Sequence, residues 1–190
     1  MPRWEPDARL RLVAAAIELF TERGYEETTV AEVAARAGLT KSTFFRYFPD
    51  KKDVLAAGQE AITRLLVMGI ASAAQDASPL EAVAAGVVRT AEAMTEVTKE
   101  LGPRINALIA SNPELQARAQ LKHAALVRSV AEALAARSVS EPVAKLAAEL
   151  GMLAFADAHA AWITAGNREG FAELARIAID RLRETMSQIT

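Results

Sequence analysis

The chain has 190 residues, 52 % of them apolar, enough for one compact unit or for a small domain joined to a larger one. It holds no cysteine, which excludes disulfides and thiolate metal sites, and no charged start leading into an apolar run, which predicts a chain without a secretory leader. A net charge of −2 gives no global attraction for nucleic acid, and an alanine-rich composition with few β-branched runs favours helices over strands.

The charge is unevenly spread. Residues 1–53 hold nine Lys and Arg against nine Asp and Glu. Within them, residues 18–32 carry five acids and Arg23, whereas residues 36–52 carry Arg36, Lys41, Arg46, Lys51 and Lys52 against Asp50 alone. A locally positive surface on a neutral domain can attract phosphates. The longest weakly polar run, residues 151–166, contains Asp157 and His159 and is too short to span a bilayer, so no membrane partner is expected.

Residues 1–6 contain two prolines and no periodicity and read as a loose arm carrying Arg3 and Trp4. The spacing of Leu10, Val13, Ala14, Ile17 and Phe20 predicts a helix over 7–23, stopped by Gly24, with Tyr25 packing back. Thr29 and Glu32 form a capping box that opens a helix over 30–37. Counted from Val30, Ala34 is the fifth and Gly38 the ninth residue of a helix-turn-helix. The fifth must be small so that two helices can cross, and the ninth must turn sharply. Val33, Ala37, Leu39, Phe44 and Tyr47 fall at its buried positions.

Thr40 is the N-cap expected for the second helix, with Leu39 and Phe44 as a hydrophobic staple. Phe44 and Phe48 share one side; Ser42, Thr43 and Arg46 lie opposite, with Phe45 on their flank. This outer face suits the major groove: Arg46 can bond guanine N7 and O6, and Phe45 can meet a thymine methyl. Lys41 stands at the helix N-terminus, where base edges are reached. Asp50 then caps a longer helix with Lys51 and Lys52 in its first turn, where backbone N–H groups would support them against a phosphate.

Residues 9–55 resemble the N-terminal domain of the TetR family of bacterial transcriptional regulators. The likeness is carried by Ala16, Leu19-Phe20, Gly24-Tyr25, Thr28-Thr29-Val30, Val33-Ala34, residues 37–43 and residues 44–51. It implies a three-helix head that grips the major groove. Thr28 or Thr29, Thr40, Tyr47 and Lys51 would hold phosphates, and Lys41, Ser42, Thr43 and Arg46 would face bases. Phe45 stands where the family usually has tyrosine, so that position carries over only as an apolar contact.

The remainder reads as capped helices. One is expected over 51–75. Another starts with Ser78 as N-cap, Pro79 at the first helical position and Glu81 at the third, and runs to about residue 100. Gly102-Pro103 breaks the chain before a short helix to 110. Asn112-Pro113 opens one to about 137, Ser140 one to 165, and Gly166-Asn167 turns into a last helix over 169–187. The total is an all-α chain of about nine helices, with a DNA-binding domain over 1–50 and an effector-binding and dimerisation domain over 51–190.

Ala147, Gly151, Ala154, Ala158, Ala161 and Ala165 recur at heptad-like spacing. Such a small-residue stripe lets a partner helix approach closely. With Ala175, Ile179 and Leu182 on the last helix, it predicts a homodimer through a four-helix seam, the arrangement the resemblance also implies. The resemblance further implies a small effector among the middle helices, where Met68, Met94, Arg104, Asn106, Phe155, His159 and Trp162 are candidate lining residues.

Two histidines, His123 and His159, form no metal motif, and no nucleophile–base set or phosphate loop can be assembled. No enzyme, cofactor or metal is therefore expected. The leading expectation is a dimeric repressor in the bacterial cytoplasm, at the nucleoid, that binds a palindromic operator and is released by a small molecule. The competing one is a helical small-molecule- or protein-binding dimer with a degenerate DNA head, favoured by Phe45 and the neutral charge of residues 1–53.

Overall fold

The structure, a computed structural model, describes residues 8–189; the arm with Arg3 and Trp4 and the expected helix start at Asp7 lie outside them. Among the described residues there are nine α-helices and no strand, the all-α architecture expected from the sequence. They are α1 (Ala8–Arg23), α2 (Val30–Arg36), α3 (Lys41–Tyr47), α4 (Gln59–Ser72), α5 (Pro79–Glu92), α6 (Glu96–Ser111), α7 (Pro113–Ala135), α8 (Glu141–Trp162) and α9 (Phe171–Ile189). A 3₁₀ segment, Lys51–Ala56, precedes α4.

The chain forms two compact units, and the division does not fall at 50/51. The first runs to Gln59 and also takes Leu101–Ala119; the second comprises Glu60–Glu100 and the chain from Gln120 onward. The reason is apolar burial. Leu108 of α6 and Leu115 of α7 lie in the same core as Leu12, Ile17, Phe20 and Phe44.

Local chemistry explains most boundaries. At α2 the Thr29 hydroxyl accepts the Glu32 N–H at 3.3 Å, and Glu32 accepts the Thr29 N–H at 2.9 Å. The same reciprocal pair, Ser78 and Glu81, opens α5 with Pro79 in the first turn. These bonds hold the carboxyls of Glu32 and Glu81 below their ordinary range. For Glu32 the Thr29 backbone bond is the main cause, and for Glu81 the Ser78 hydroxyl.

Three expectations need correction. No single helix covers 51–75: the 3₁₀ segment ends in a turn where Gly58 takes φ +103°, and α4 begins only at Gln59. Helix α5 stops at Glu92 instead of reaching residue 100. The chain restarts because Thr95 caps α6, accepting the Thr98 N–H at 3.5 Å. Gly102-Pro103 does not break the chain, since α6 runs through it. Pro103 removes only the bond its N–H would give the Lys99 carbonyl, and its ring faces solvent. Ser140 occupies the N-cap of α8 but makes no side-chain capping bond.

Residues 51–72 contain an 18-residue window with the apolar composition of a membrane span, of mean hydropathy 1.4. They carry Glu60 and Arg64, however, and Leu66 and Ile70 are wholly buried in the second unit's own core. That core also takes Val83, Val87, Val130, Leu134, Met152 and Trp162. Its helices meet at glycines. A Cβ on Gly69 would lie 2.5 Å from Gly86 Cα, and one on Gly151 would lie 2.0 Å from Val83 Cγ1.

Gly69→Ala should therefore destabilise the protein by about 1–3 kcal/mol, although alanine is the better helix former by about 1 kcal/mol. Urea denaturation measures it, and a variant as stable as wild type would contradict the close crossing. The capping carboxylates give a pH test. A carboxyl with a lower pKa in the folded than in the unfolded state stabilises fully above the unfolded value and stops doing so as pH falls through the folded value. Thr29→Ala and Ser78→Ala together should lower stability at neutral pH and flatten its fall on acidification. An unchanged acid limb would contradict the capping assignment.

Candidate nucleic-acid interface

Helix α3 is held at both ends. Before it, Gly38 takes φ +67°, and its missing side chain leaves room for Arg11, whose guanidinium donates to the Ala37 carbonyl at the end of α2. The Thr40 hydroxyl accepts the Thr43 N–H at 3.1 Å, the expected cap. Phe48 ends the helix, its N–H donating to the Phe44 carbonyl. Phe44 is completely buried and Phe48 nearly so, with ring centroids 5.5 Å apart.

The opposite face is open. Lys41, Ser42, Phe45 and Arg46 are exposed, while Thr43 and Tyr47 are half-buried. The Lys41 ammonium lies 5.8 Å from the centre of the Phe45 ring, and the Arg46 guanidinium 5.1 Å from that of Tyr47. Both charges rest on aromatic faces of their own helix.

Ion pairs thin out the basic cluster of residues 36–52. Arg36 reaches Glu22 at 2.9 Å and Glu18 at 3.3 Å; the Glu22 bond raises the guanidinium's pKa, and the Arg36 bond lowers that of Glu22. Lys52 lies 3.3 Å from Asp50 and 3.6 Å from Glu114. Among the described residues of this stretch, Lys41 and Arg46 are the cations left with neither a carboxylate nor a carbonyl cage around them. The positive surface is thus concentrated on α3.

Two expected phosphate contacts turn inward. Thr28 is 1 % exposed, and its hydroxyl donates to the Gly24 carbonyl at 2.9 Å and the Leu19 carbonyl at 3.3 Å. The Lys51 ammonium donates to the carbonyls of Tyr25 (2.7 Å), Thr28 (3.1 Å) and Glu26 (3.2 Å), which occupy its three donors. Thr29 stays exposed at the N-cap of α2, and Thr40 is exposed at that of α3. The composition of residues 36–52 does not reveal the partners of Arg36 and Lys51, which lie 14 or more residues away in sequence.

Most of the small-residue stripe of α8 turns inward. Gly151, Ala154 and Ala158 are buried inside the second unit, as are Ala175 and Ile179 of α9. They let its own helices approach each other. Ala161 and Ala165 are exposed, and Leu182 is half-buried. A different stripe of α8 faces outward: Val143 (47 % exposed), Leu146 (59 %) and Leu153 (53 %), with Leu150 between them. Its 3-4-3 spacing stands in the sequence beside that of the alanines.

The seven candidate lining residues do not converge. Phe155, His159 and Trp162 come together around Phe171, whose ring stacks on Trp162 at 4.9 Å and meets His159 at 5.7 Å. Burial there lowers the pKa of His159. Met94 packs against the same core. Met68 is 47 % exposed, and Arg104 and Asn106 are exposed on the part of α6 that belongs to the first unit. Phe171 was the member that spacing within α8 could not supply. His123 is exposed and 3.9 Å from Glu149; among the described residues no three His, Asp or Glu side chains form a metal cluster.

Comparison with known proteins agrees with this architecture. Residues 12–57 match the family described as bacterial regulatory proteins, tetR family, and residues 77–187 match the MftR C-terminal domain. Among curated relatives, the HTH-type transcriptional regulator HbdR of Aromatoleum sp. (strain CIB) is 35 % identical over 54 residues, 28 % of this chain and 24 % of that protein. TcmR of Streptomyces glaucescens is 33 % identical over 75 residues, 40 % of this chain and 33 % of that protein. The likeness therefore spans a third or less of these relatives' own length. Among solved structures, a putative TetR-family regulator from Syntrophomonas wolfei superposes with a TM-score of 0.59 at 16 % identity, covering 95 % of each chain. The protein of the SmeT–triclosan complex gives 0.60 at 19 % identity, covering 94 % of this chain and 90 % of that one. The second match alone takes in more than half of the sequence, and with the head it places this chain in the TetR family of bacterial regulatory proteins.

Proposed function

We propose that the protein is a dimeric, ligand-responsive transcriptional regulator that represses by binding a palindromic operator and is released by a small molecule. The observation that carries this reading is α3: a helix with a buried aromatic back, a capped N-terminus and an exposed face bearing Lys41, Ser42, Phe45 and Arg46. Lys41, Ser42, Thr43 and Arg46 read base edges, with Phe45 against a thymine methyl. Thr29, Thr40 and Tyr47 contact phosphates and set the register. Such a protein works in the bacterial cytoplasm, at the nucleoid.

Two recognition helices are needed for a palindrome. The outward stripe Val143, Leu146, Leu150 and Leu153 is the part of α8 free to meet a second copy, in place of the buried alanines. Release requires an effector that binds the form unable to hold DNA more tightly than the form that can. The aromatic group of Phe155, His159, Trp162 and Phe171 offers a small molecule an apolar wall with one imidazole.

Arg46→Ala should weaken binding to the selected operator by about 1–3 kcal/mol and leave random duplex nearly unaffected; fluorescence anisotropy at fixed salt measures both. Equal loss on the two would remove Arg46 as a base reader. Leu146→Glu should yield folded monomers in sedimentation velocity and lose operator binding. A variant that remains dimeric would contradict the seam.

A further inference from the structure

We propose that Arg11 of α1 is a positioning residue for base recognition: it fixes the turn between α2 and α3, and through that turn the N-terminal end of α3. Its consequence rests on the DNA-binding reading; the contact itself does not. Helix α2 ends in a left-handed glycine cap. Gly38 takes φ +67°, its N–H donates to the Ala35 carbonyl at 2.9 Å, and the Leu39 N–H donates to the Ala34 carbonyl at 2.8 Å. These bonds satisfy two of the last carbonyls of α2. The carbonyl of Ala37, the C-cap, takes the guanidinium of Arg11, 26 residues earlier in the chain. The same Arg11 nitrogen would lie 2.8 Å from a Cβ on Gly38. A side chain at position 38 and the Arg11–Ala37 bond are therefore in competition.

The place of this bond gives it its effect. Phe44 and Phe48 anchor the middle and the end of α3 in the core, Phe44 completely buried. The near end has Leu39, only partly buried against that core, and the Thr40 cap, which ties the helix to itself. Arg36 also reaches α1, through Glu18 and Glu22, but with long side chains at both ends. Arg11 grips the backbone of the turn directly, with a charge-assisted bond. Lys41 and Ser42, the first residues of α3, follow that turn and inherit its position. The Arg11 side chain is half-buried and borders an open cavity of about 350 Å³ that Glu18 and Arg36 also line. An apolar side chain at position 11 thus leaves no sealed void, and the fold survives the loss of the guanidinium.

The test selects bound duplexes from a random pool with wild type, Arg11→Met, Lys41→Ala and Arg46→Ala, and titrates each onto the wild-type site and a random duplex. Arg11→Met should bind the wild-type site about tenfold more weakly, the scale of one hydrogen bond to a charged group, and random duplex nearly as before. The base preferences it loses should be those that Lys41→Ala loses, while those lost by Arg46→Ala are kept. Loss spread evenly over the half-site overturns the assignment, and so does a preference equal to wild type. Equal weakening on both duplexes, with a shallower slope of log K against log salt, marks a phosphate ligand and overturns it too. Urea denaturation reads the contact without DNA. Gly38→Ala strains φ and displaces Arg11 in the wild type, but only strains φ in Arg11→Met. Its cost in the folding constant should be at least about threefold smaller in Arg11→Met, and equal costs overturn the contact. Should Arg11→Met not fold, phenylglyoxal labelling of the intact wild type decides: Arg11 should react more slowly than Arg46, and equal rates overturn the contact. A wild type that prefers no duplex defeats the DNA-binding reading, while a reduced cost of Gly38→Ala in Arg11→Met still establishes the contact.

Discussion

The burial of Phe44 is the constraint on which the rest of the first unit depends. Helix α3 has seven residues, far below the length at which a helix persists unaided in water. It exists because Phe44 and Phe48 lie in a core shared with Leu12, Val13, Ile17, Phe20 and Val33. Burying one such ring stabilises by roughly 1.5–3 kcal/mol, more than the cap at Thr40, worth about 1 kcal/mol. Once the back of α3 is fixed, its front is fixed too. Lys41, Ser42, Phe45 and Arg46 face outward because 3.6 residues per turn leave them no other direction.

That core recruits chain from far away. Leu108 and Leu115 enter it from α6 and α7, so the head is not a separable N-terminal piece. Charged contacts reinforce the recruitment: Arg118 donates to Asp53, and Glu114 lies 3.6 Å from Lys52. The Nε of Arg118 is buried without a hydrogen-bond partner, so part of this pairing is offset by desolvation.

How much of this was legible in the sequence follows from the range of each interaction. Thr29–Glu32, Ser78–Glu81 and Thr40–Thr43 are contacts three residues apart, and each was read correctly. Gly38 was legible because few residues other than glycine take its φ readily. The hydrogen bonds of Lys51 and Thr28 are not legible in the same way, because their partners are set by tertiary folding. Thr28 donates to a carbonyl nine residues back, and Lys51 to carbonyls 23–26 residues back. The spacing of the small residues of α8 marks a close-packing face but does not name its neighbour. Periodicity reports that a face is apolar and small, and only the Val83 methyl against Gly151 shows that the neighbour is α5 of the same unit. Pro103 misled for the opposite reason: a local rule was overridden because α6 tolerates one missing bond on its exposed side.

The central claim is that α3 reads sequence in duplex DNA as one half of a symmetric pair. Selection of bound duplexes from a random pool, followed by sequencing, tests it most directly. The account predicts enrichment of a palindrome whose half-sites are centred one helical turn, about 34–36 Å, or a multiple of it, apart. Retention of duplexes with no enriched sequence would contradict it.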